Sequence, residues 1–528
     1  MNKAFPTLLL AALCLQANAQ SRPAGDEIDY LREHIKVMAS DEFGGRKPMS
    51  VHERISINYI ASEFRRLGLV PAYGESYFQE VREINTDTGV EKNRLQVRAA
   101  GGKLELIVEE DVTVWSHRNT DKVSIKNADI VFAGFGIDDP DYDWNDFEGI
   151  DVRGKIILSM VNDPGFYNPE LFRGKNMTYN GRWCYKLEEA QRKGALGCLI
   201  IHNTAAASYG FDVCRNSKKS ISLVGENENR DAMGLCGWIA EDAVRKLFKA
   251  CGKDYDKAAC EAQKPGFRAY SIGAKMNAVL NIKAEIGSTC NVIGIIPGSD
   301  LKDECVVVSA HWDHLGTGLP IAGDSIYNGA RDNASGVAAM MLHARQFLNS
   351  TYKPRRTLIF AALTSEEGGL FGSQWYCEHP LFPLSKTAAV VNIDGAAPQA
   401  RTRDIVVRFT GLSDIDEMME IAAAAQGRYL NIINDDPGGY FYRADHFNFC
   451  KRGVPAVLAG GGNDFTDPGG RERTTWRETY HQPSDEYSDD WDFEGAMMNH
   501  NFLHAIIMMI DGRDEMPKWK PGAGYRRP

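Results

Sequence analysis

An α/β fold built on a mostly parallel central sheet flanked by helices is the architecture the sequence predicts, and three observations carry it. From residue 277 onward, short apolar runs at 291–296, 305–310, 357–363, 388–393 and 456–459 are separated by helical stretches, notably 336–348 and 417–426. The runs are apolar at consecutive positions, as strands are when helices cover both faces of a parallel sheet. Three of them stop abruptly in polar groups: 306–310 runs into His311-Trp312-Asp313-His314, 358–363 into Thr364-Ser365-Glu366-Glu367, and 389–393 into Asp394-Gly395. In open α/β sheets ligands bind beyond the carboxyl ends of the strands, so these groups are expected to converge on one crevice.

The remaining elements fall on either side of this pattern. Residues 27–69 read as helical, with Ile35, Met38, Ile55, Ile57, Ile60 and Phe64 spaced among charges. The stretch 104–270 has another texture, short strands at 128–132, 155–160 and 197–202 around a helix at 186–193. Past residue 516 the chain is rich in Pro, Gly, Lys and Arg without periodicity, and is expected to be loose. The division predicted is a leader over 1–19, a first piece of the main domain over 20–103, a β-rich insert over 104–270, the rest of the main domain over 271–515, and a tail over 516–528.

Composition excludes several classes. Of 528 residues, 43% are hydrophobic and 25% charged, which is the balance of a globular chain and not of a disordered or fibrous one. A net charge of -11 offers no basic face for phosphates, so no nucleic-acid partner is expected. Lys3, the apolar run 7–15 and Ala17-Asn18-Ala19 have the layout of a cleavable signal peptide, which predicts export to the periplasm or the extracellular space. Lipoprotein anchoring at Cys14 is disfavoured, because Leu13 is larger than the small residue such sites take before the cysteine. No later run reaches 18 apolar residues, so no stable membrane insertion is expected. The cysteines contain no C-x-x-C pair, which argues against a cysteine zinc knuckle; several, such as Cys198, sit in apolar runs and read as core.

An imidazole and several carboxylates at strand ends form a donor set suited to zinc, with one carboxylate left for proton transfer. Two more segments add to it. Residues 328–336 form a glycine-punctuated loop entering a helix with Asp332 at its centre, and Tyr480-His481 brings a second exposed imidazole. No H-E-x-x-H occurs, so the donors must be assembled by the sheet and not by one helix. His314 reads as loop or rim, and His343, inside the 336–348 helix, as packing. His446 in Ala444-Asp445-His446-Phe447 is the rival to His481.

Taken together, His311-x-Asp313, 328–336, Ser365-Glu366-Glu367-Gly368, Asn392-Ile393-Asp394 and Tyr480-His481 resemble, in order and context, the co-catalytic zinc exopeptidases. That family includes bacterial leucyl aminopeptidases, glutamate carboxypeptidases and the non-enzymatic transferrin receptors. The 104–270 stretch is similar to the protease-associated domain inserted in many members, particularly at 147–155 and 193–197. The resemblance implies two Zn2+ ions per chain bridged by Asp332, one also held by His311 and Asp394, the other by Glu367 and His481. It implies Glu366 as the general base and Asp313 as the residue that orients His311. It further implies a cis peptide at Asp332-Asn333, and that Ala444–Phe447 corresponds to a segment that shapes the pocket.

The substrate implied is a peptide. All five donors and Glu366 are present, unlike in the one-zinc glutaminyl cyclases or a non-catalytic receptor-like relative. Asn333 resembles the aminopeptidase pattern, where glutamate carboxypeptidases tend to have proline. Against that, Arg331 and Arg182, the latter within 179–183, are candidates to clamp a terminal carboxylate. An aminopeptidase is the leading expectation, with a carboxypeptidase-like dipeptidase or a receptor-like binding protein as the alternatives.

Overall fold

The computed structural model describes residues 24–89, 92–214, 218–396, 399–408, 412–433, 435–470 and 476–528; the leader 1–19 and Cys14 lie outside the described residues. The chain forms two compact units. The first holds the residues up to Val81 together with Ser288–Ile433 and Arg443–Pro528, and the second holds Arg82–Gly287 and Asn434–Tyr442.

The sheet of the first unit runs in the order Phe78–Asp87, Lys283–Ile296, Arg356–Leu363, Leu301–His311, Thr387–Asn392, Ala456–Val457, the first two strands continuing past the unit's limits. The last four are mutually parallel, as expected from the helices between them. Lys283–Ile296 is antiparallel to Arg356–Leu363. Only Pro297-Gly298-Ser299-Asp300 separates it from the next strand, too short for the helical crossover a parallel neighbour needs.

Both faces of the sheet are buried, which explains the uninterrupted apolar runs. Val306, Val308, Ala310, Leu358, Phe360 and Ala362 face one core, shared with Leu31, Ile35, Ile60 and Phe64 and with Ile506 and Ile510 of the C-terminal helix Glu494–Gly512. Their neighbours Cys305, Val307, Ile359, Ala361 and Leu363 face the other, with Tyr376, Cys377 and Phe449. The N-terminal helices Ala24–Met38 and Glu53–Leu67 therefore belong to the main core. The second helix buries Ile57, Ile60, Ala61 and Phe64 at helical spacing and stops at Gly68, where a φ of 91° turns the chain left-handed.

The second unit has its own eight-stranded mixed sheet, in which Lys122–Phe132, Ile156–Met160, Gly197–His202 and Leu235–Ala240 run parallel. Its limits lie outside 104 and 270, because Arg94–Ala99 and Tyr270–Asn281 pair with each other within it. All ten described cysteines are free.

The tail is not loose. Arg527 donates to the carbonyls of Thr387, Ala388 and Pro517, Trp519 Nε1 donates to Gly453 O at 2.8 Å, and Lys520 N donates to Leu412 O. Hydrogen bonds of this kind, made by irregular backbone and arginine, leave no periodic trace in a sequence.

His343 does pack, and its partners are other histidines. Its ring stacks on His500 with centroids 3.8 Å apart, and its Nδ1 lies 3.2 Å from Nδ1 of His504, whose ring is nearly parallel to it. His500 Nε2 lies 2.9 Å from Gln346 Oε1. Burial pulls all three rings down from the usual histidine range, His504 to about 4. The unfolded chain therefore takes up protons first, and stability is lost as pH falls from 6.5 toward about 4, for His504 alone by roughly 3 kcal/mol. The thermal midpoint is expected to drop across that window, and His504→Gln to flatten the drop; an unchanged pH profile in the variant contradicts this origin.

Candidate metal centre

The parallel register aligns three strand ends, with His311 opposite Leu363 and Ser309 opposite Asn392. The polar residues just beyond these ends meet at one edge of the sheet, each held by main-chain groups.

His311 is fully buried. Its Nδ1 lies 3.2 Å from the main-chain oxygen of Asp313, a contact that places the ring proton on Nδ1 and leaves Nε2 as the bare donor. That Nε2 lies 3.3 Å from Asp332 Oδ1 and 3.5 Å from Asp394 Oδ1. The Asp313 carboxylate, 3.7 Å from Nδ1, is engaged elsewhere, accepting from Glu366 N at 3.0 Å and Glu367 N at 3.3 Å. The carboxylate thus ties the His311 strand to the Glu pair, while the contact to the imidazole is made by the Asp313 carbonyl. Trp312, wholly buried, locks the same turn through Cys290 O and Leu363 O.

Asp332 sits in the loop ahead of the helix Ser335–Asn349, and its peptide bond to Asn333 is cis. Asp485 holds this loop from below, its buried carboxylate accepting from Arg331 N and Asp332 N at 3.1 Å. Asn333 ties it sideways, donating to Ile393 O at 3.0 Å and accepting from Gly395 N at 2.9 Å on either side of Asp394. At Gly336 a side chain is excluded, because a Cβ there would come within 2.6 Å of Ile393 O.

The other oxygen of Asp332, Oδ2, lies 3.3 Å from His481 Nε2, which in turn is 3.1 Å from Glu367 Oε2. His481 is stacked on Tyr480 and stands at φ 55°. Its Nε2 is buried and makes no hydrogen bond among the described residues, despite its nearness to two carboxylates. It is this ring, not that of His446 in the helix His446–Lys451, that faces Asp332 and Glu367.

His314 is where the sequence reading and the structure part. It lies in a loop, but it is 1% exposed and its Nδ1 is 2.7 Å from Glu367 Oε1. The doubled histidine in His311-Trp312-Asp313-His314 was the signal for it. Two donor groups result, His311 with Asp332 and Asp394, and Glu367 with Asp332, His481 and His314.

The electrostatics follow from crowding. Burial raises Asp332, but His311 and His481 more than offset it and hold its carboxyl well below the usual range. Glu367 is likewise raised by burial and by Asp332, and is brought down by His314 and His481. Glu366 is pushed well above the usual carboxylate range by burial, against the pull of His311 and with the help of Asp394 and Glu367. One carboxylate of the adjacent pair is therefore kept ionised beside imidazoles and the other is made basic.

These donors fit zinc. Ligands about 2.0–2.1 Å from a tetrahedral ion lie roughly 3.3 Å from one another, and the N···O separations around Asp332 are 3.1–3.5 Å. Imidazole nitrogens and carboxylate oxygens are the donor types zinc prefers in sites that keep an open position, and a buried Nε2 aimed at carboxylates without a hydrogen bond is what a missing cation leaves behind. Asp485 is testable on its own: Asp485→Ala strands two buried N–H groups, and chemical denaturation is expected to show a loss of about 2–4 kcal/mol, with Asp485→Asn losing less.

Comparison with known proteins adds the following. Residues 291–504, which contain His311, Asp313, Asp332, Glu366, Glu367, Asp394 and His481, match the profile described as Peptidase family M28. The fold is similar to that of an aminopeptidase from Aneurinibacillus sp. strain AM-1, with a TM-score of 0.50 at 16% identity, covering 93% of this chain and 97% of that one. In sequence the chain is 31% identical over 179 residues to Aminopeptidase NAALADL1 of Mus musculus, covering 32% of this chain and 22% of that protein. It is 25% identical over 324 residues to the Glutamate carboxypeptidase 2 homolog of Caenorhabditis elegans, covering 51% of this chain and 37% of that protein. The alignments thus span well under half the length of either relative.

Proposed function

We propose, from the match of residues 291–504 to the profile of Peptidase family M28, that the chain is an exported, zinc-dependent aminopeptidase with two ions, for which Asp332 would be the shared ligand. The observation that carries the reading is the sharing of Asp332, whose Oδ1 faces His311 and whose Oδ2 faces His481, each at 3.3 Å. His311 and Asp394 complete one position, and Glu367 and His481 the other, with His314 behind Glu367.

When bound, the metal pair supplies Lewis-acid chemistry, drawing charge from the scissile carbonyl and making water acidic near neutral pH. The chain's own residues do the rest. Glu366 takes a proton from the attacking water on a carboxylate oxygen and returns it to the leaving amine. Asp313 holds the main-chain N–H groups of both Glu366 and Glu367, so the base and the neighbouring metal position move as one piece. Asn333 and Asp485 keep Asp332 at its bridging place.

The amino-terminal reading rests on Asn333, which follows Asp332 as in the aminopeptidase pattern. Arg331 supports it indirectly, because its guanidinium lies over the Trp491 ring at 5.3 Å and is mostly buried, which gives it a packing role in place of a carboxylate clamp. The likeness to a glutamate carboxypeptidase homolog keeps the dipeptidase as second reading. The second unit is read as a protease-associated domain, and the leader as the signal for export to the periplasm or beyond.

Glu366→Gln is expected to lower kcat by about 10²–10⁴-fold while the protein keeps its zinc, measured by turnover of aminoacyl substrates alongside metal analysis. Wild-type activity in that variant removes Glu366 as the base. A panel of N-blocked and C-blocked peptides decides the direction. Hydrolysis that needs a free C-terminus but not a free N-terminus replaces the aminopeptidase with the dipeptidase. Chelation is expected to abolish activity, and two equivalents of zinc to restore it.

A further inference from the structure

Outside 291–504, the Arg46 side chain joins two of the loops that carry the metal centre, the turn after His311 and the loop that holds Asp332. Arg46 lies in Gly44-Gly45-Arg46, just after the helix Ala24–Met38, and is 1% exposed. Among the described residues its guanidinium makes no side-chain ion pair; it is spent on main-chain carbonyls. Nε donates to Trp312 O at 2.9 Å, between His311 and Asp313. Nη1 donates to Asn328 O at 2.5 Å and to Met38 O at 2.8 Å. Nη2 donates to Gly329 O at 2.7 Å and, more weakly, to Asp332 O at 3.5 Å. Its own carbonyl accepts from His314 N at 3.3 Å. A planar fork with five donors in fixed directions can satisfy this many carbonyls at once, and no other side chain can.

The approach depends on Gly45. Its φ is 68°, and a Cβ there would come within 2.5 Å of both Gly316 O and Tyr327 O, the two ends of the hairpin that separates His314 from Asn328. The backbone therefore passes directly beneath that hairpin, and Arg46 enters between its stems. Asn328 Nδ2 returns the contact, donating to Ala39 O and Asp41 Oδ1.

We propose that Arg46 is a positioning residue of the metal centre: its fork sets the spacing between the end of the Leu301–His311 strand and the Asp332 loop, and so keeps His311 Nε2 and Asp332 Oδ1 at coordinating separation. The segment 38–46 is thereby a working part of the peptidase unit. The guanidinium also places a fixed positive charge beneath Asp332, Asp313, Glu367 and Asp485. This inference rests on the metallopeptidase reading above.

The test uses the full chain, wild type against Arg46→Lys and Gly45→Ala. Arg46→Lys keeps the charge and loses the fork; Gly45→Ala keeps Arg46 and displaces the segment that carries it. Zinc dissociation constants are measured by competition with a chromophoric chelator, together with thermal midpoints and with kcat and KM at limiting and saturating zinc. Both variants are expected to bind zinc roughly 10–100-fold more weakly, the range seen when groups that orient metal ligands are lost. KM is expected to stay unchanged, and kcat to recover when zinc is saturating. Zinc affinities within twofold of wild type in both variants overturn the proposal, even where the thermal midpoint falls, since that pattern is a merely structural role. A wild-type chain that takes up no zinc overturns the metallopeptidase reading, and this inference with it, before any variant is compared.

Discussion

Like-charge repulsion among carboxylates is the constraint that shapes the catalytic unit. Asp313, Asp332, Glu366, Glu367, Asp394, Asp445 and Asp485 act on one another at one edge of the sheet. Two unit charges 4 Å apart cost about 4 kcal/mol at the effective dielectric of a protein surface, so such a group cannot stand without compensation. Most of its members have a dedicated partner. Asp313 receives the N–H groups of Glu366 and Glu367, Asp485 those of Arg331 and Asp332, Asp332 lies between His311 and His481, and Glu367 lies against His314. Glu366 lacks an equivalent and is driven upward, as is Asp445, to about 7. The carboxylates are thus divided between those held by N–H groups or imidazoles and those, Glu366 and Asp445, pushed upward.

The sheet is what makes that sorting reproducible. Parallel pairing in fixed register sets His311 opposite Leu363 and Asn392 opposite Ser309, and the burial of both faces opposes any slip of a strand along its neighbours. The loops beyond can then carry strained or polar backbone, because each is tied to its neighbour: Trp312 to Leu363, Asn333 to Ile393, Asp485 to Arg331. Precision at the site is inherited from the core.

Much of this was legible in the sequence. Consecutive apolar runs mark strands buried on both faces, which is why 197–202 coincides with Gly197–His202 and 305–310 falls within Leu301–His311. His311, the Glu366-Glu367 pair and Asp394 stood out because they end such runs, whereas Asp332 and His481 were assigned as donors through the resemblance. What was not legible depends on partners distant along the chain. The antiparallel placement of Lys283–Ile296 follows from a four-residue connection whose consequence appears only once the sheet order is known. The tail is held by an arginine bonding to carbonyls, and carbonyls are the same in every residue. His314 reads as a rim residue from its loop position, but it is buried by the packing of Glu367 and His481 around it.

Arg46 belongs to the same blind spot, and it explains why the unit is built in two pieces. The chain leaves the first unit along Phe78–Asp87 and re-enters along Lys283–Ile296, neighbouring strands of that unit's sheet. Exit and return therefore occur at adjacent places, and about 200 residues can intervene without disturbing the register of the strands that carry the site. The piece before the exit is not dispensable: Tyr30, Leu31, Ile35, Ile60 and Phe64 fill the core under Val306 and Val308, and Arg46 spans the loops above it. The donors themselves all come after residue 291, so a comparison confined to 291–504 sees the ligands without the group that spaces them. A metal centre whose geometry were set by carbonyls gathered on one guanidinium would need the two pieces of the first unit together.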